Sequence, residues 1–377
     1  VADTGSSDGH ATRRAVVTLR RLLQAAMVGF LLFAGLACGA SPFTADPGPD
    51  RDLLAGRGVY WGASIGPQLT GTQAPGDPQA ITAFEHEVGK HLSIVNTGWV
   101  FAVCGPQRCG PADFPEPALQ TIRAAGAIPL VSMESTPIGG TRYDARFTLA
   151  SIAAGRWDGL LWRYAREIRR WGHPFFLRFD WEMNSSVWPW DPPNNASTPA
   201  AYVAAWRHVH DLFARAGVRN VTWVWCPNVG NLRNLGALYP GRRYVDWSCL
   251  DGYNFGGTSA VSFADWNAIF ARSYALITQR LAPGKPMMVA EFGSTGQGGD
   301  KAAWITNALA TVPFAYPQIR ALVYYDFATG GANWSLESSP RVLRAFARGV
   351  ARPVYVSHLS RVARGGKIVP PRLPQRF

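Results

Sequence analysis

Charge is scarce in this 377-residue chain, with only 16% of residues being Asp, Glu, Lys or Arg. The polar surface must therefore lean on Ser, Thr, Asn, Tyr and Trp. Lysine is scarcer still, since 33 of the 37 basic residues are arginine. Residues 351–377 contain no acid and six Arg or Lys, whereas residues 1–57 set six Arg against five Asp. Only +5 of the net +12 is thus left for residues 58–350. A nucleic-acid binder carries a basic stripe on the folded domain itself, and none is visible here, so no nucleic-acid partner is expected. Also missing are a G-x-G-x-x-G loop after the first strand, an internal repeat and a low-complexity tract. Those absences argue against a dinucleotide-binding open sheet and against a repeat architecture.

What is present is apolar: 47% hydrophobic residues and fifteen tryptophans, enough for a large core and too much for a disordered chain. Arg13, Arg14, Arg20 and Arg21 precede an apolar run from Leu22 to Ala40 that only Gln24 interrupts. A basic start, an apolar middle and a small-residue end describe an export signal over residues 1–40. Cleavage after Ala40, lipidation at Cys38 within Gly35-Leu36-Ala37-Cys38, and an uncleaved membrane anchor all fit that run, which approaches the ~20 residues of a bilayer span. The expected location is accordingly extracellular, or the outer face of the cell membrane. Residues 41–57 read as a Pro/Asp/Gly-rich linker, and the basic residues 351–377 as a solvated, disordered tail.

Setting Cys38 aside leaves Cys104, Cys109, Cys226 and Cys249, an even number suited to an oxidising compartment. Cys104 and Cys109 close a short loop on themselves, and Cys226 and Cys249 pair across neighbouring strands. A zinc site would need a second closely spaced Cys or His pair, which is lacking.

Residues 58–350 alternate short apolar strands with helical stretches. The strands begin at Val59, Leu92, Ile128, Phe175, Val221, Ser248, Met287 and Ala321; helical patterns include Pro78–Lys90, Trp157–Trp171, Pro199–Ala216 and Phe263–Leu281. Eight such units over this length predict an α/β fold, a (β/α)8 TIM barrel forming one catalytic domain. Function then collects at the C-terminal strand ends.

The fourth strand ends Arg178-Phe179-Asp180-Trp181-Glu182-Met183-Asn184. A period of two puts Phe176, Arg178, Asp180 and Glu182 on one face. The charged set then points into the barrel, with Arg178 paired to Asp180 and Glu182 reaching the mouth. Asp180 also helps to keep Glu182 protonated. The seventh strand ends on Glu291. Two carboxylates facing each other across a barrel mouth are what glycosidic hydrolysis needs, one as acid/base and one as nucleophile, ~5–5.5 Å apart in a retaining enzyme. The competing readings are ordinary mouth carboxylates or ligands of a hard metal, although no third acidic or His ligand stands nearby.

Arg178–Asn184 followed by Trp188-Pro189-Trp190 resembles the acid/base segment of family 26 glycoside hydrolases, the β-mannanase group. Met288–Gly293 resembles that family's nucleophile strand. The resemblance implies Glu182 as acid/base and Glu291 as nucleophile in a retaining mechanism with no cofactor and no metal. It also implies Tyr253, in Asp251-Gly252-Tyr253-Asn254, as a tyrosine that hydrogen-bonds the nucleophile. The family's mannanases usually carry His before the acid/base Glu, where Trp181 stands here. Family relatives act on mixed-linkage glucan and β-1,3-xylan as well, so the substrate class is β-mannan, β-glucan or β-xylan. Arg178, Asp180, Trp181, Asn184, Trp188, Trp190, Trp225, Asn228, Tyr253 and Trp334 are the expected substrate-binding set, because sugar C–H faces stack on aromatics. Tyr325 and Asp326 are further candidates, Trp61 and Trp99 could form subsites, and the helical tryptophans belong to the core. A monomer acting on a polysaccharide or oligosaccharide is expected. The rival function is a carbohydrate-binding envelope protein on the same barrel without turnover, a reading motivated by Trp181.

Overall fold

The computed structural model describes residues 57–105, 108–138, 143–258, 262–329, 331–357, 361–363 and 366–373. The export segment expected at 1–40, with Cys38, and the linker up to residue 56 lie outside the described residues. Eight strands form the frame: β1 (Val59–Ile65), β2 (Ile94–Cys104), β3 (Ile128–Ile138), β4 (Phe175–Phe179), β5 (Val221–Trp225), β6 (Trp247–Asn254), β7 (Met287–Ser294) and β8 (Ile319–Asp326). Each pairs in parallel with the next, and β1 pairs with both β8 and β2, which closes the barrel. Closure depends on Gly62: a Cβ there would lie 2.0 Å from the Ile94 carbonyl oxygen, where β1 meets β2. The expected TIM barrel is therefore what forms. Most strands outrun the apolar segments that announce them, because polar residues at the mouth pair as well.

The helices that cover the barrel are α1 (Pro78–Val88), α2 (Glu116–Ala124), α3 (Asp158–Trp171), α4 (Pro199–Arg215), α5 (Trp266–Leu276), α6 (Lys301–Ala315) and α7 (Pro340–Val350). Pro78, Pro199 and Pro340 each sit in a first turn, where a missing N–H costs nothing. Asp77, Thr198, Asp265 and Asp300 cap their helices through the side chain. The fifth crossover differs from the expected pattern. A single 3-10 turn, Leu235–Leu238, replaces the helix, in a stretch crowded with Gly, Asn and Pro. Among the described residues no helix is long and apolar enough to cross a membrane.

β2 and β3 continue beyond the barrel, pairing as far as Val103 and Ile138. A short antiparallel strand, Cys109–Pro111, folds back on β2, and the Cys104–Cys109 disulfide closes that hairpin. The second expected pair, Cys226–Cys249, joins the end of β5 to β6. Trp61 and Trp99, considered as subsites, are core: Trp61 packs edge-on to Phe346, and Trp99 against Phe114 and Tyr164.

The disordered tail expected at 351–377 requires correction over its described part. Tyr355–Val356 adds a parallel strand to β1, and Val362 bridges Ile368. Ile368 is buried under the barrel floor, its N–H donating to Thr222 Oγ1 at 2.8 Å and its carbonyl accepting from Trp247 Nε1 at 3.0 Å. Lys367 reaches Asp246 and the Val221 carbonyl, and Tyr60 donates to the Val369 carbonyl. Strand starts at the bottom of a barrel carry unpaired backbone and polar groups, and this segment satisfies them. A basic composition signalled disorder only because its partners are remote in sequence. Ile368→Ala is expected to cost about 2–4 kcal/mol, lowering the urea midpoint of the full chain; an unchanged midpoint would mean that the segment is undocked.

Candidate active site

Arg178, near the end of β4, is fully buried inside the barrel. A buried guanidinium must find acceptors for its rigid fork of donors. Its Nε donates to Ser132 Oγ of β3 at 2.6 Å, Nη1 to Asp251 Oδ2 of β6 at 2.6 Å, and Nη2 to Glu291 Oε1 of β7. One side chain thus ties four strands together beneath the mouth. The expected Arg178–Asp180 pair does not form.

The reason lies in the backbone. Strand β4 stops at Phe179, and Asp180 (φ 45°) and Glu182 (φ 53°) are in the left-handed region that non-glycine residues avoid. The alternation of sides fails at the residue where it was extended. Asp180 turns toward β3 and accepts from the Ser135 N–H at 2.8 Å, while its other oxygen is buried without a partner. Burial pushes its carboxyl well above the usual range. Burial and the Glu291 charge are what raise Glu182, and the help expected from Asp180 is not needed to account for it.

Glu182 is held at the mouth by two neutral donors. Trp188 Nε1 donates to Oε2 at 2.9 Å and Asn228 Nδ2 to Oε1 at 2.7 Å. Burial raises its carboxyl pKa and the like charge of Glu291 adds to this, against the two donors and Arg178. Glu291 stands in the opposite environment: Arg178 donates to one oxygen and the Tyr253 hydroxyl to the other. What separates the two is charge: both Glu182 donors are neutral, whereas one Glu291 donor is a guanidinium. Burial, followed by the nearby Glu291 charge, holds Tyr253 well above its usual pKa, so its hydroxyl keeps the proton it donates. The register of β7 shifts beside Glu291: Leu250 pairs with Val289 but Asp251 with Glu291. Such a bulge re-aims a side chain next to a site, and here it sets Glu291 beside Arg178.

The remaining expected residues divide between mouth and scaffold. Trp188 is half-buried and lies flat on Trp190, with rings 5.3 Å apart and 7° from parallel. Trp190 is buried and donates to the Trp181 carbonyl at 2.7 Å; the Trp181 ring lies against the Arg178 guanidinium at 4.8 Å. Trp225 is wholly buried, its indole N–H on the Leu238 carbonyl, and Trp334 is buried against Tyr253 and Phe255. Trp181, Trp190, Trp225 and Trp334 are therefore packing residues, a correction to the proposed sugar-lining set. Burial also removes Arg178, Asp180 and Asn184 from that set. Asn184 fixes the loop after β5, donating to Asn228 and Gly230 carbonyls and accepting from the Asn228 N–H. Asp326 binds the Leu336 N–H and Gln68, anchoring the β8 loop, while half-buried Tyr325 faces Tyr253 edge-on. Asp251 was missed. It shares a face with Tyr253 by the same alternation, a signal present in the sequence. Among the described residues, the grouping with metal-ligand character is Cys226, Cys249 and Asp251. Both sulfurs are joined in a disulfide, so neither offers the thiolate that binds metal, and Asp251 is occupied by Arg178.

Comparison with known proteins bears out the family resemblance. Residues 161–293 match the model of Glycosyl hydrolase family 26. Endoglucanase H of Acetivibrio thermocellus is 34% identical over 212 residues, which is 54% of this chain and 23% of that protein. The chain thus spans about a quarter of the length of that relative. Among solved structures, the endo-β-1,4-mannanase of Cellulomonas fimi superposes with a TM-score of 0.58 at 21% identity, covering 80% of this chain and 72% of that one. The catalytic domain of a Bacillus family 26 endo-β-1,4-mannanase gives 0.60 at 19%, covering 80% and 88%. At these identities the two structures attest the shared barrel.

The two carboxyl environments make a measurable prediction. In carbon-13 NMR of glutamate-labelled protein, Glu182 is expected to titrate above the ordinary carboxyl range and to move down in Glu291→Gln. Asp180→Asn should leave it in place. A Glu182 midpoint unmoved by Glu291→Gln would contradict the coupling.

Proposed function

We propose that the chain is a retaining endo-β-glycosidase that cleaves the backbone of a β-linked polysaccharide, with Glu182 as acid/base and Glu291 as nucleophile. The observation that carries this reading is the division of the carboxyl pair. Glu182 sits in a buried setting that favours its protonated form, and Glu291 is gripped by an arginine and a tyrosine. In the first step a Glu291 oxygen attacks the anomeric carbon while Glu182 gives its proton to the departing glycosidic oxygen. The C–O bond to the leaving chain breaks and an ester bond to Glu291 forms. In the second step Glu182, now a carboxylate, takes a proton from water, whose oxygen attacks the same carbon and releases Glu291. Arg178 and Tyr253 orient the nucleophile, and Trp188 and Asn228 orient the acid.

A β-glucan is the favoured substrate. The sequence relative at 34% identity is an endoglucanase, and Trp181 stands where the family's mannanases usually have His. β-Mannan is the second choice. Binding without turnover loses its motive, because the Trp181 ring packs on Arg178, Trp188 and Trp190 as part of the support of the site. Export accompanies this function: two disulfides suit an oxidising compartment, the Arg-flanked apolar run supplies an address, and a polymeric substrate lies outside the cell.

Purified protein incubated with β-glucan, β-mannan and β-xylan should release oligosaccharides from at least the first. Glu182→Gln should lower kcat by about 10²–10⁴-fold, and Glu291→Ala should abolish release. The wild-type rate should fall as pH rises through the elevated Glu182 pKa, since the acid form is lost there. No cleavage of any of the three polymers, or full activity in Glu291→Ala, would reject the reading.

A further inference from the structure

The loop between β4 and α4 contains a buried acid that composition and motif left unremarked. Asp191 is fully buried, and three donors converge on its Oδ2 atom: Ser185 Oγ at 2.6 Å, the Val187 N–H at 2.8 Å and the Trp188 N–H at 3.0 Å. Apart from one 3-10 turn at Asn194–Ala196, the segment from Met183 to Thr198 has no regular structure to fix it. Side-chain acceptors must therefore do the work that a helix or ladder does elsewhere. Asn194 adds to this by donating to the Trp188 carbonyl at 2.9 Å. The outcome is that Trp188 is fixed at its backbone by Asp191 and at its ring by the flat stack on Trp190, with the indole N–H aimed at Glu182.

We infer that Asp191 is a positioning residue for the acid/base, acting through Trp188: its carboxyl oxygen holds the Trp188 backbone so that the indole N–H stays on Glu182. This inference rests on the proposed function for its catalytic meaning and on the hydrogen bonds for its physical content. A donor to Glu182 stabilises the carboxylate form, so it eases proton release to the leaving group and favours the base needed in the second step.

Two influences of Asp191 on Glu182 must be separated. Besides holding Trp188, an ionised Asp191 repels the Glu182 charge, a smaller influence than burial on the Asp191 carboxyl. Burial raises Asp191 to about 7, against the donors from Ser185, Trp188 and Val187. The other groups facing the pair are Asp180 and Tyr202 on the Asp191 side, and Glu291, Arg178, Asp251, Tyr253 and Tyr325 on the Glu182 side. All of them are left in place by substitution at residue 191. Asp191→Asn retains an acceptor oxygen for the three donors, removes the charge and puts an amide NH2 in place of Oδ1. Asp191→Ala removes both acceptor and charge.

The test follows the Trp188 indole N–H in nitrogen-15 NMR of the full chain across pH, with the signal assigned by its absence in Trp188→Phe and its titration by loss in Glu182→Gln. In wild type and Asp191→Asn the signal should shift with the Glu182 titration; in Asp191→Ala it should cease to do so. The Glu182 midpoint, read from its own carboxyl signal, should lie about one pH unit higher in Asp191→Ala than in Asp191→Asn. Equal midpoints with an indole that titrates in both variants would overturn the inference. If Asp191→Ala does not fold, Asp191→Asn decides alone: an indole that no longer follows Glu182 refutes the role given to the acceptor oxygen, and one that does supports it. Hydrolysis is scored separately. Wild type that shows this NMR pattern and cleaves no glycan refutes the proposed function and keeps the positioning; Glu182-dependent cleavage with matched variants refutes the positioning alone.

Discussion

A guanidinium buried at the centre of a barrel is the constraint from which the rest of the site follows. Removing an ion from water costs several kcal/mol even after the protein relaxes, on the order of magnitude that unfolds a domain. Arg178 is offset by two carboxylates and a hydroxyl, each supplied by a different strand. β3, β4, β6 and β7 can adopt only those registers that bring Ser132, Asp251 and Glu291 to it. The bulge that sets Glu291 opposite Asp251 is one consequence. The docked segment around Ile368 lies at the far end of the barrel, against the starts of β5 and β6.

From that constraint the two mouth carboxyls acquire different characters. Glu291 shares the guanidinium and is further bound by Tyr253, so it is surrounded by donors at both oxygens. Glu182 is left with neutral donors only and is buried near a like charge, which favours its acid form. Identical side chains differ in chemistry because one strand presents its residue to the arginine and another turns away from it. That turn is made by left-handed backbone at Asp180 and Glu182, a conformation costing about 1–3 kcal/mol per residue that the surrounding contacts must sustain.

The barrel was legible in the sequence because each strand is an apolar run bounded by polar residues, and because prolines and glycines mark helix ends at regular intervals. The positions of Glu182 and Glu291 were legible for the same reason, as acids just beyond such runs, Glu291 the first after its run and Glu182 the second. Where alternation was extended past the end of a strand it misled. Asp180 follows Arg178 by two, yet the backbone leaves the pleat between them, and no local pattern announces that. Tryptophans were also hard to place: residue type does not separate Trp188, which meets Glu182, from Trp190, two positions on, which is packed away beneath it. Asp191 and the docked segment around Ile368 were unreadable because their partners are defined by folding, either within an irregular loop or more than a hundred residues distant.

The central claim is that Glu291 forms a covalent bond to sugar while Glu182 handles the proton. Incubation with an activated 2-deoxy-2-fluoro-β-glucoside or its cellobiose analogue slows the second step, and peptide mass spectrometry then locates the adduct. One fluorosugar per chain on the peptide that carries Glu291 is the expected result. Glycan cleavage by a chain that never acquires the label, or a label on Glu182, would contradict it.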